Sequence, residues 1–343
     1  MNIGAEVLRS WAQRLLQAAG LELEVAAIVA DHLVYANLRG VDSHGMMRLP
    51  IYIARLKAGL VNPKPRPQVL RTLGPWAVVD GDQGPGQVAG RFAMGLTMQL
   101  AKEYGLGAVW VQRSTHYGAA AYYVEPAARE GFVALSTTNA EPDMVPYGGA
   151  RAALGTNPLA FAAPAPQGIL LLDMATSQVA MGKIFLARER GETIPEGWVV
   201  DEEGRPTTDP GRAKAALPLG GPKGYGLAIM VEILSGVLSG AGFTHRIGRM
   251  YDEWDRPQDV GHFFLAIDPR RVLGWEVFQD RMGTLWTELK AVPPAPGFTE
   301  VLLPGELEER TRKQRLVEGI PLPEAVYTRL VETSRQLGVE VPE

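Results

Sequence analysis

Two short segments of this sequence place a histidine beside hydroxyl side chains and a glycine. The first, DSHG at 42–45, is followed by Arg48, and the second is STHYG at 114–118. An imidazole exchanges protons near neutral pH, and a guanidinium can hold a carboxylate through two parallel hydrogen bonds. These residue types predict acid–base chemistry on a small anionic substrate.

Several other catalytic classes lack their residues here. The sequence has no cysteine, which excludes disulfides, thiolate catalysis and cysteine-ligated metals. No histidine has a partner at metal-ligand spacing such as H-E-x-x-H, no G-x-S-x-G nucleophile elbow is present, and the carboxylates are not paired as in a glycosidase. We expect no bound metal, and we expect His32, His245 and His262 to be structural.

The composition is that of a globular protein without a basic surface for nucleic acid. Of 343 residues, 46% are hydrophobic and 21% are charged, and the net charge is -4. The N-terminal residues lack the basic start and apolar run of a signal peptide, so we expect a cytoplasmic protein. Glu232 interrupts the apolar stretch 224–243, which favours a helix buried in the core or at a subunit interface over a membrane span.

Hydrophobic spacing predicts helices on both sides of the first histidine segment. Apolar residues recur at helical intervals over 5–39, which indicates two helices. Pro50 is compatible with the first turn of a helix that runs from about 49 to 57 and is closed by Gly59.

The same spacing relates the first histidine to two further side chains. His44, Arg48 and Tyr52 share one face if helical geometry extends back to residue 44. Otherwise His44 lies in the loop before the helix, still near Arg48. We therefore predict that Tyr52 lines the substrate site together with Arg48.

The rest of the sequence alternates between predicted strands and helices, which is typical of an α/β fold. Residues 62–75 read as an extended linker, and segment 114–118 follows a predicted strand, where sites in α/β proteins tend to form. We expect strands at 76–80, 107–111, 132–136, 170–177 and 262–268, helices at 88–104, 120–130, 178–190, 274–290 and 322–337, and loops at 137–164 and 191–218.

Familiar nucleotide-binding loops are absent from the sequence. The glycines of 84–90 do not have the Rossmann spacing, and those of 149–156 lack the lysine of a Walker loop. The glycine-rich segment 219–226, with Lys223, could bind an anion at a helix N-terminus or be a solvated turn. Asp173, at the end of a predicted strand, could accept ribose hydroxyls or cap the next helix.

Taken together, six segments in this order resemble the type-2 malate/L-lactate dehydrogenase family, which includes ureidoglycolate dehydrogenase and diketogulonate reductase. The match runs nearly end to end. The segments are DSHG at 42–45 with RLP at 48–50, STHYG at 114–118, GTNPL at 155–159, DMATS at 173–177, GGPKGYG at 220–226 and LPGE at 303–306.

The resemblance implies an architecture that spacing alone does not give. It implies an α/β fold that is not of Rossmann type, with a central mixed-sheet domain over 75–305. Residues 1–74 would form a helical domain on which 306–343 pack, and the protein would be a homodimer. The resemblance also implies NADH or NADPH as cofactor, without indicating which.

The resemblance further implies roles for particular residues. His44 would donate a proton to the substrate carbonyl, Ser43 would support His44, Arg48 would hold the carboxylate, and His116 would be a second acid–base group. Which histidine is the main donor stays open. The residues matching cofactor-contacting stretches are Ala140, Asp173, Met174, Ala175, Lys223, Pro304, Gly305 and Glu306.

The sequence therefore predicts an oxidoreductase that interconverts 2-hydroxy acids and 2-oxo acids by hydride transfer. A hydride that reaches the carbonyl carbon leaves negative charge on oxygen, which a protonated histidine can neutralise. Reduction of a cyclic imino acid would use the same residues. A cofactor-free isomerase or lyase and a non-catalytic binding protein are the alternatives from other classes.

Overall fold

The computed structural model describes residues 2–342, apart from the side chains at positions 185, 186, 189 and 190. Within this range the chain forms eleven α-helices and twelve strands. The helices are α1 (Ala5–Ala18), α2 (Leu23–Leu38), α3 (Leu49–Lys57), α4 (Gly86–Tyr104), α5 (Ala121–Arg129), α6 (Met181–Arg190), α7 (Pro222–Glu232), α8 (Pro269–Val272), α9 (Trp275–Ala291), α10 (Glu306–Glu318) and α11 (Glu324–Leu337). The strands are β1 (Asn2–Ile3), β2 (Gln68–Leu73), β3 (Trp76–Asp80), β4 (Leu106–Ser114), β5 (Val133–Thr138), β6 (Leu159–Ala165), β7 (Gly168–Met174), β8 (Val199–Val200), β9 (Pro206–Thr207), β10 (Ala215–Ala216), β11 (Val260–Ile267) and β12 (Ile320–Pro321).

Seven strands form a central mixed sheet in the order β2-β3-β4-β11-β5-β6-β7. In the described part of the chain, β3 and β4 are the one parallel pair of this sheet, and its other pairs are antiparallel. A Rossmann sheet is built mostly from parallel strands joined by crossover helices. The topology therefore confirms the predicted α/β fold that is not of Rossmann type.

Buried aromatic side chains fix α4 and α5 against the sheet. Tyr117 stacks on Tyr123 with ring centroids 4.7 Å apart, and both rings lie near Phe264 of β11. An added Cβ at Gly90 of α4 would lie 2.6 Å from the Tyr123 ring. Only a glycine lets α4 approach this closely, because interiors have almost no spare volume.

Helices from both chain ends share a second apolar core. Strand β1 pairs with β12, so that Ile3 lies opposite Ile320. The indole nitrogen of Trp11 in α1 donates to the Ser334 hydroxyl of α11 at 2.8 Å, in a buried setting. Apolar side chains of α2 and α3 complete this core, which confirms the predicted helical part built from the chain ends.

Three predicted loops contain strands. The expected linker at 62–75 holds β2, which pairs with β3 at the edge of the sheet; all six of its residues are exposed, so no apolar alternation marks it. The expected loop at 137–164 ends in β6, which begins at Leu159. The expected loop at 191–218 holds β8, β9 and β10, each two residues long.

The apolar stretch 224–243 is shorter as a helix than predicted. Helix α7 ends at Glu232 and continues as one π-helical turn, Ile233–Val237. The turn buries Ser235 and Gly236, whereas Ile233 and Val237 are about half exposed in the single chain. Between residues 2 and 342, no helix has the length and hydropathy that crossing a membrane requires.

Candidate active site

The first histidine lies in a pair of short turns that lead into α3. His44 and Arg48 end two successive 3₁₀ turns, and α3 follows directly. The chain bends between the turns at Gly45, where an added Cβ would lie 2.2 Å from the Asn37 side-chain oxygen. The face of α3 therefore extends back to Arg48 but not to His44, which confirms the second of the two predicted arrangements.

Side chains from α2 and α10 hold these turns in place. The Asn37 side-chain oxygen accepts the backbone N–H of Met46 at 2.8 Å. Arg315 of α10 donates to both carboxylate oxygens of Asp42, at 2.7 and 3.0 Å. A two-pronged pair of this kind fixes orientation as well as distance, so α10 helps to position His44.

The two histidines singled out in the sequence lie face to face. The ring centroids of His44 and His116 are 5.6 Å apart, and the ring planes are inclined by 17°. His116 follows the end of β4, and its backbone N–H donates to the Gln258 side-chain oxygen at 3.2 Å. The fold thus brings both histidine segments to one place.

Ser43 connects the imidazole of His44 to the guanidinium of Arg48. The Ser43 hydroxyl lies 2.9 Å from Nδ1 of His44, and the Ser43 carbonyl accepts Nε–H of Arg48 at 2.8 Å. A terminal nitrogen of Arg48 also donates to the Tyr251 hydroxyl at 2.6 Å. One residue therefore holds the predicted acid–base group beside the predicted carboxylate-binding group.

Tyr52 holds the second histidine. Its hydroxyl lies 2.7 Å from Nδ1 of His116 and accepts a hydrogen bond from the Gln87 side-chain amide at 3.3 Å. Burial raises the pKa of Tyr52, so the group stays a neutral phenol. The structure places Tyr52 beside His116, and its role in binding the substrate stays a prediction.

Both imidazoles are held in the neutral form. Burial, followed by the positive charge of Arg48, lowers the pKa of His44 to about 3. The same two causes lower the pKa of His116 well below its ordinary value, with a smaller contribution from His44. Because desolvation and a like charge both disfavour the imidazolium, protonating either ring requires something that offsets Arg48.

The segments predicted to contact a cofactor meet around the end of β7. The backbone N–H of Thr176 donates to the Thr156 carbonyl, and that of Leu219 donates to the Thr176 carbonyl, both at 2.9 Å. Strand β7 also contacts the 303–306 loop, because Leu171 N–H donates to the Pro304 carbonyl at 3.0 Å. The predicted residues on or next to these joined segments are Asp173, Met174, Ala175, Lys223, Pro304, Gly305 and Glu306.

Three of the predicted cofactor residues make internal contacts. The carboxylate of Asp173 accepts the backbone N–H of Ala121 at 2.8 Å and so caps α5, rather than the helix that follows it in sequence. Glu306 pairs with Lys290 at 2.9 Å, and its carboxylate accepts the backbone N–H of Leu303 at 2.7 Å. Ala140 N–H donates to the Asn157 side-chain oxygen at 3.1 Å.

The other histidines lie outside this cluster. His32 and His262 are fully buried, as expected of structural residues, and His245 lies in an exposed 3₁₀ turn. Among the side chains that the structure describes, no group of three or more histidines and carboxylates is arranged to hold a metal ion.

Four contributors to the site were not predicted from the sequence. Gln87 contacts Tyr52, Gln258 contacts His116, Tyr251 contacts Arg48, and Arg55 binds the backbone that carries Tyr251. Arg55 could have been predicted from the sequence, because it lies on α3 at helical spacing from Arg48 and Tyr52. The other three come from distant parts of the sequence and carry no local motif.

Comparison with known proteins places this chain among hydroxy-acid dehydrogenases. The malate/L-lactate dehydrogenase family matches residues 3–331. A ureidoglycolate dehydrogenase (NAD(+)) of Escherichia coli K12 is 40% identical over 332 residues, covering 96% of this chain and 95% of the relative. A malate dehydrogenase of Pyrococcus horikoshii is 41% identical over 350 residues, covering 99% of this chain and 96% of the relative.

Solved structures agree with these relatives. The sulfolactate dehydrogenase of Methanocaldococcus jannaschii superposes with a TM-score of 0.93 at 40% identity, over 99% of this chain and 98% of that chain. A delta1-piperideine-2-carboxylate reductase of Pseudomonas syringae gives a TM-score of 0.88 at 31% identity, over 97% of this chain and 99% of that chain. The match is full-length in sequence and in structure: the chain belongs to the malate/L-lactate dehydrogenase family.

Proposed function

We propose that this protein is an NAD(P)-dependent dehydrogenase that interconverts 2-hydroxy acids and 2-oxo acids. The observation that carries the proposal is the junction at Ser43, which bonds His44 through its hydroxyl and Arg48 through its carbonyl. A 2-oxo acid has a carbonyl oxygen next to a carboxylate. The junction holds a proton donor and a cation side by side, as recognition of these two neighbouring groups requires.

In this proposal Arg48 binds the substrate carboxylate. Its Nε is bonded to Ser43, so the carboxylate would use the two terminal nitrogens, one of which also donates to Tyr251. A guanidinium held on both sides has little freedom left to lose when the ligand arrives. Such positioning contributes to catalysis because the reacting carbon is oriented before the chemical step.

His44 is the proton donor in the direction of reduction. When bound, the reduced nicotinamide supplies the hydride that reduces the carbonyl carbon. The oxygen then takes a proton from His44, and the product is the hydroxy acid; oxidation is the reverse. The Ser43 hydroxyl can donate to neutral His44 or accept from protonated His44, so the imidazole changes charge without losing its partner.

The carboxylate that binds Arg48 also prepares His44 for this role. Without a ligand, burial and the Arg48 charge keep His44 neutral. A bound carboxylate offsets the Arg48 charge, which raises the pKa of His44 and draws a proton into the site. Substrate binding and proton uptake are therefore coupled in this proposal.

His116 has a different environment. Its Nδ1 is bonded to Tyr52, which in turn accepts from Gln87, so the phenol proton is directed at the imidazole. His116 would then carry its proton on the other ring nitrogen and act as a neutral hydrogen-bond donor to the substrate. This arrangement supports His44 as the main donor.

The cofactor would lie along the segments joined around β7. The donor set there suits a dinucleotide: the carboxylate of Asp173 is an acceptor for ribose hydroxyls, and Lys223 stands in the first turn of α7 beside glycines that leave the backbone open. Ala140, Met174, Ala175 and the Pro304–Glu306 loop complete the proposed contacts.

In this proposal the protein is a dimer of two copies of the chain. Helices α9 and α10 bury none of their side chains in the single chain. Leu285 of α9, Val317 of α10 and Phe298 in the segment between the two helices are exposed. Exposed apolar surface of this kind often marks a subunit interface. We propose a homodimer whose protomers each consist of the 75–305 sheet domain and a helical domain from the chain ends.

Reduction of a cyclic imino acid is the second candidate. The similarity to a delta1-piperideine-2-carboxylate reductase favours it, and a ring carboxylate next to a C=N bond could bind Arg48 in the same way. The two candidates differ in whether an oxygen or a nitrogen receives the proton.

A substrate panel tests the proposal. Purified protein would be assayed with 2-oxo acids and cyclic imino acids, each with NADH and with NADPH, by the loss of dihydronicotinamide absorbance. We expect turnover of at least one 2-oxo acid. Binding of reduced nicotinamide without turnover of any substrate would contradict the proposal, and absence of binding would favour a cofactor-free isomerase or lyase.

A further inference from the structure

A buried arginine organises the segment that contacts Arg48. Residues 249–256, called the strap here, contain no helix or strand and run from the 3₁₀ turn at 244–246 towards β11. One terminal nitrogen of Arg55 donates to the backbone carbonyls of Arg249, Met250 and Glu253 at 3.1, 3.0 and 2.8 Å. The other terminal nitrogen donates to the Arg256 carbonyl at 3.2 Å.

The hydrogen-bond acceptors of the Arg55 guanidinium are the backbone carbonyls of the strap and not a carboxylate. Arg55 is only 2% exposed, and a guanidinium does not lose its proton in a protein. Among the described side chains, no carboxylate lies within ion-pair distance of Arg55. Four carbonyls and the Trp254 ring, 5.6 Å away, contact the guanidinium, and the carboxylates of Glu141 and Glu253 stabilise its charge at longer range. Burying a cation is costly unless its donors are satisfied, and the Nε of Arg55 has no hydrogen-bond partner, so the bonds of the two terminal nitrogens to the strap have to offset this cost.

The strap reaches both halves of the active site. Tyr251, near its centre, accepts from Arg48, whose guanidinium carbon lies 5.8 Å from the Tyr251 ring centre. Gln258, two residues beyond the strap, accepts from the backbone of His116. Arg48, Tyr52 and Arg55 thus lie on one face of α3 and its preceding turn. Arg48 contacts Tyr251, Tyr52 contacts His116, and Arg55 contacts the strap backbone.

We propose that Tyr251 is a substrate-binding residue and that Arg55 is the positioning residue that holds it. The Tyr251 hydroxyl accepts from Arg48 and keeps its own proton for a second acceptor. The carboxylate of a 2-oxo acid would receive hydrogen bonds from Arg48 and from Tyr251 together. This inference rests on the proposed function and adds a second group to its carboxylate pocket.

The strap has other tethers, so a conservative change at Arg55 need not unfold the protein. The backbone N–H of Met250 donates to the Glu141 carboxylate, and Arg249 donates to the Pro142 carbonyl at 3.1 Å. Lysine keeps the charge at position 55 but cannot direct donors at four diverging carbonyls. Arg55→Lys therefore loosens Tyr251 while the rest of α3 is kept.

Kinetics on single and double variants test the proposal. We expect Tyr251→Phe to raise the KM for the 2-oxo acid about tenfold, as loss of one hydrogen bond to a charged group does, with kcat within about twofold. Arg55→Lys should raise KM in the same direction, and the double variant should be no worse than Tyr251→Phe alone. Lys57→Met, exposed on the same helix, is the matched control and should leave KM unchanged.

A binding measurement separates this inference from the proposed function. Oxalate, an unreactive dicarboxylate that mimics a 2-oxo acid, would be titrated calorimetrically into the same variants. If no 2-oxo acid is turned over, the proposed function fails, and weaker oxalate binding in Tyr251→Phe still supports the inference. Unchanged KM and unchanged oxalate affinity in Tyr251→Phe would overturn the inference. It would also be overturned if the KM increases of Tyr251→Phe and Arg55→Lys multiplied in the double variant, because the two residues would then act independently.

Discussion

The histidines of the active site and those of the protein interior share a lowered pKa but differ in the groups that surround them. Burial lowers the pKa of His262 to about 3, the same value as for His44. Both ring nitrogens of His262 are bonded at 2.8 Å, to Thr138 and Ser114. His44 instead has one hydroxyl partner and a neighbouring guanidinium, and it is half-buried.

This comparison shows what distinguishes a reactive imidazole from a structural one. A depressed pKa by itself marks burial, which is common to both regions. What differs is the presence of a neighbouring charge that a ligand could offset. A ring nitrogen without a partner is not enough, because Nδ1 of the buried His32 also has none. The predictions below test this distinction, in order of decreasing effect.

Removing the imidazole at position 44 should have the largest effect. His44→Ala leaves the hydride transfer without a proton donor, so we expect kcat to fall by a factor of about a hundred to ten thousand. The dissociation constant of the reduced nicotinamide, measured by fluorescence titration, should change little. A kcat close to that of the wild type would exclude His44 as the donor, and His116→Ala is the matched variant for comparison.

Replacing the neighbouring guanidinium should act mainly on substrate binding. Arg48→Lys keeps the positive charge but loses the planar pair of donors, so we expect the KM for the 2-oxo acid to rise by about tenfold or more. The same protein should bind reduced nicotinamide normally. Steady-state kinetics over a range of substrate concentrations measure this, and an unchanged KM would contradict the role given to Arg48.

A change in the interior should affect stability and leave the chemistry intact. Nε2 of His32 accepts the backbone N–H of Ala119 at 2.9 Å, and burial lowers the pKa of His32 to about 4. His32→Leu leaves that buried N–H unpaired, which costs about 1–3 kcal/mol of the free energy of unfolding. Denaturant unfolding measures this loss. The folded variant should keep a kcat close to that of the wild type, and a large fall in kcat would contradict a structural role.

The pH dependence of stability follows from the same histidine. Because the folded pKa of His32 is depressed, its contribution is complete above its ordinary pKa of 6.5 and is lost as the pH falls towards about 4. The wild-type free energy of unfolding should fall in this window by up to about 1.4 kcal/mol per pH unit for each such histidine. The His32→Leu variant should show a shallower slope, and an identical slope would show that His32 is not buried in the neutral form.

The parts of the site that the sequence predicted are those encoded locally. Ser43, His44 and Arg48 lie within six consecutive residues, so their proximity needs no knowledge of the fold. Arg48 and Tyr251 are 203 positions apart, and nothing in the sequence near Tyr251 indicates that the two meet. Proximity of this kind arises from tertiary packing, which spacing does not reveal.

The fold shows the same division. Helices with strong apolar periodicity, such as α1 and α3, lie where the sequence predicted them. Strand β2 was missed because an exposed edge strand has no buried face to produce alternation. Helix α10 was missed for a related reason, since it buries no side chain and its sequence is mostly charged.

The central claim is that a ligand on Arg48 converts His44 from neutral to protonated, whereas the interior histidines stay neutral. Nitrogen-15 NMR of histidine-labelled protein at pH 7 measures this directly, with five histidines to observe and His44→Gln to assign the signal. We predict that saturating oxalate shifts the ring nitrogens of His44 to the protonated pattern and leaves those of His32 and His262 unchanged. A His44 ring that stays neutral in the saturated complex would contradict the account.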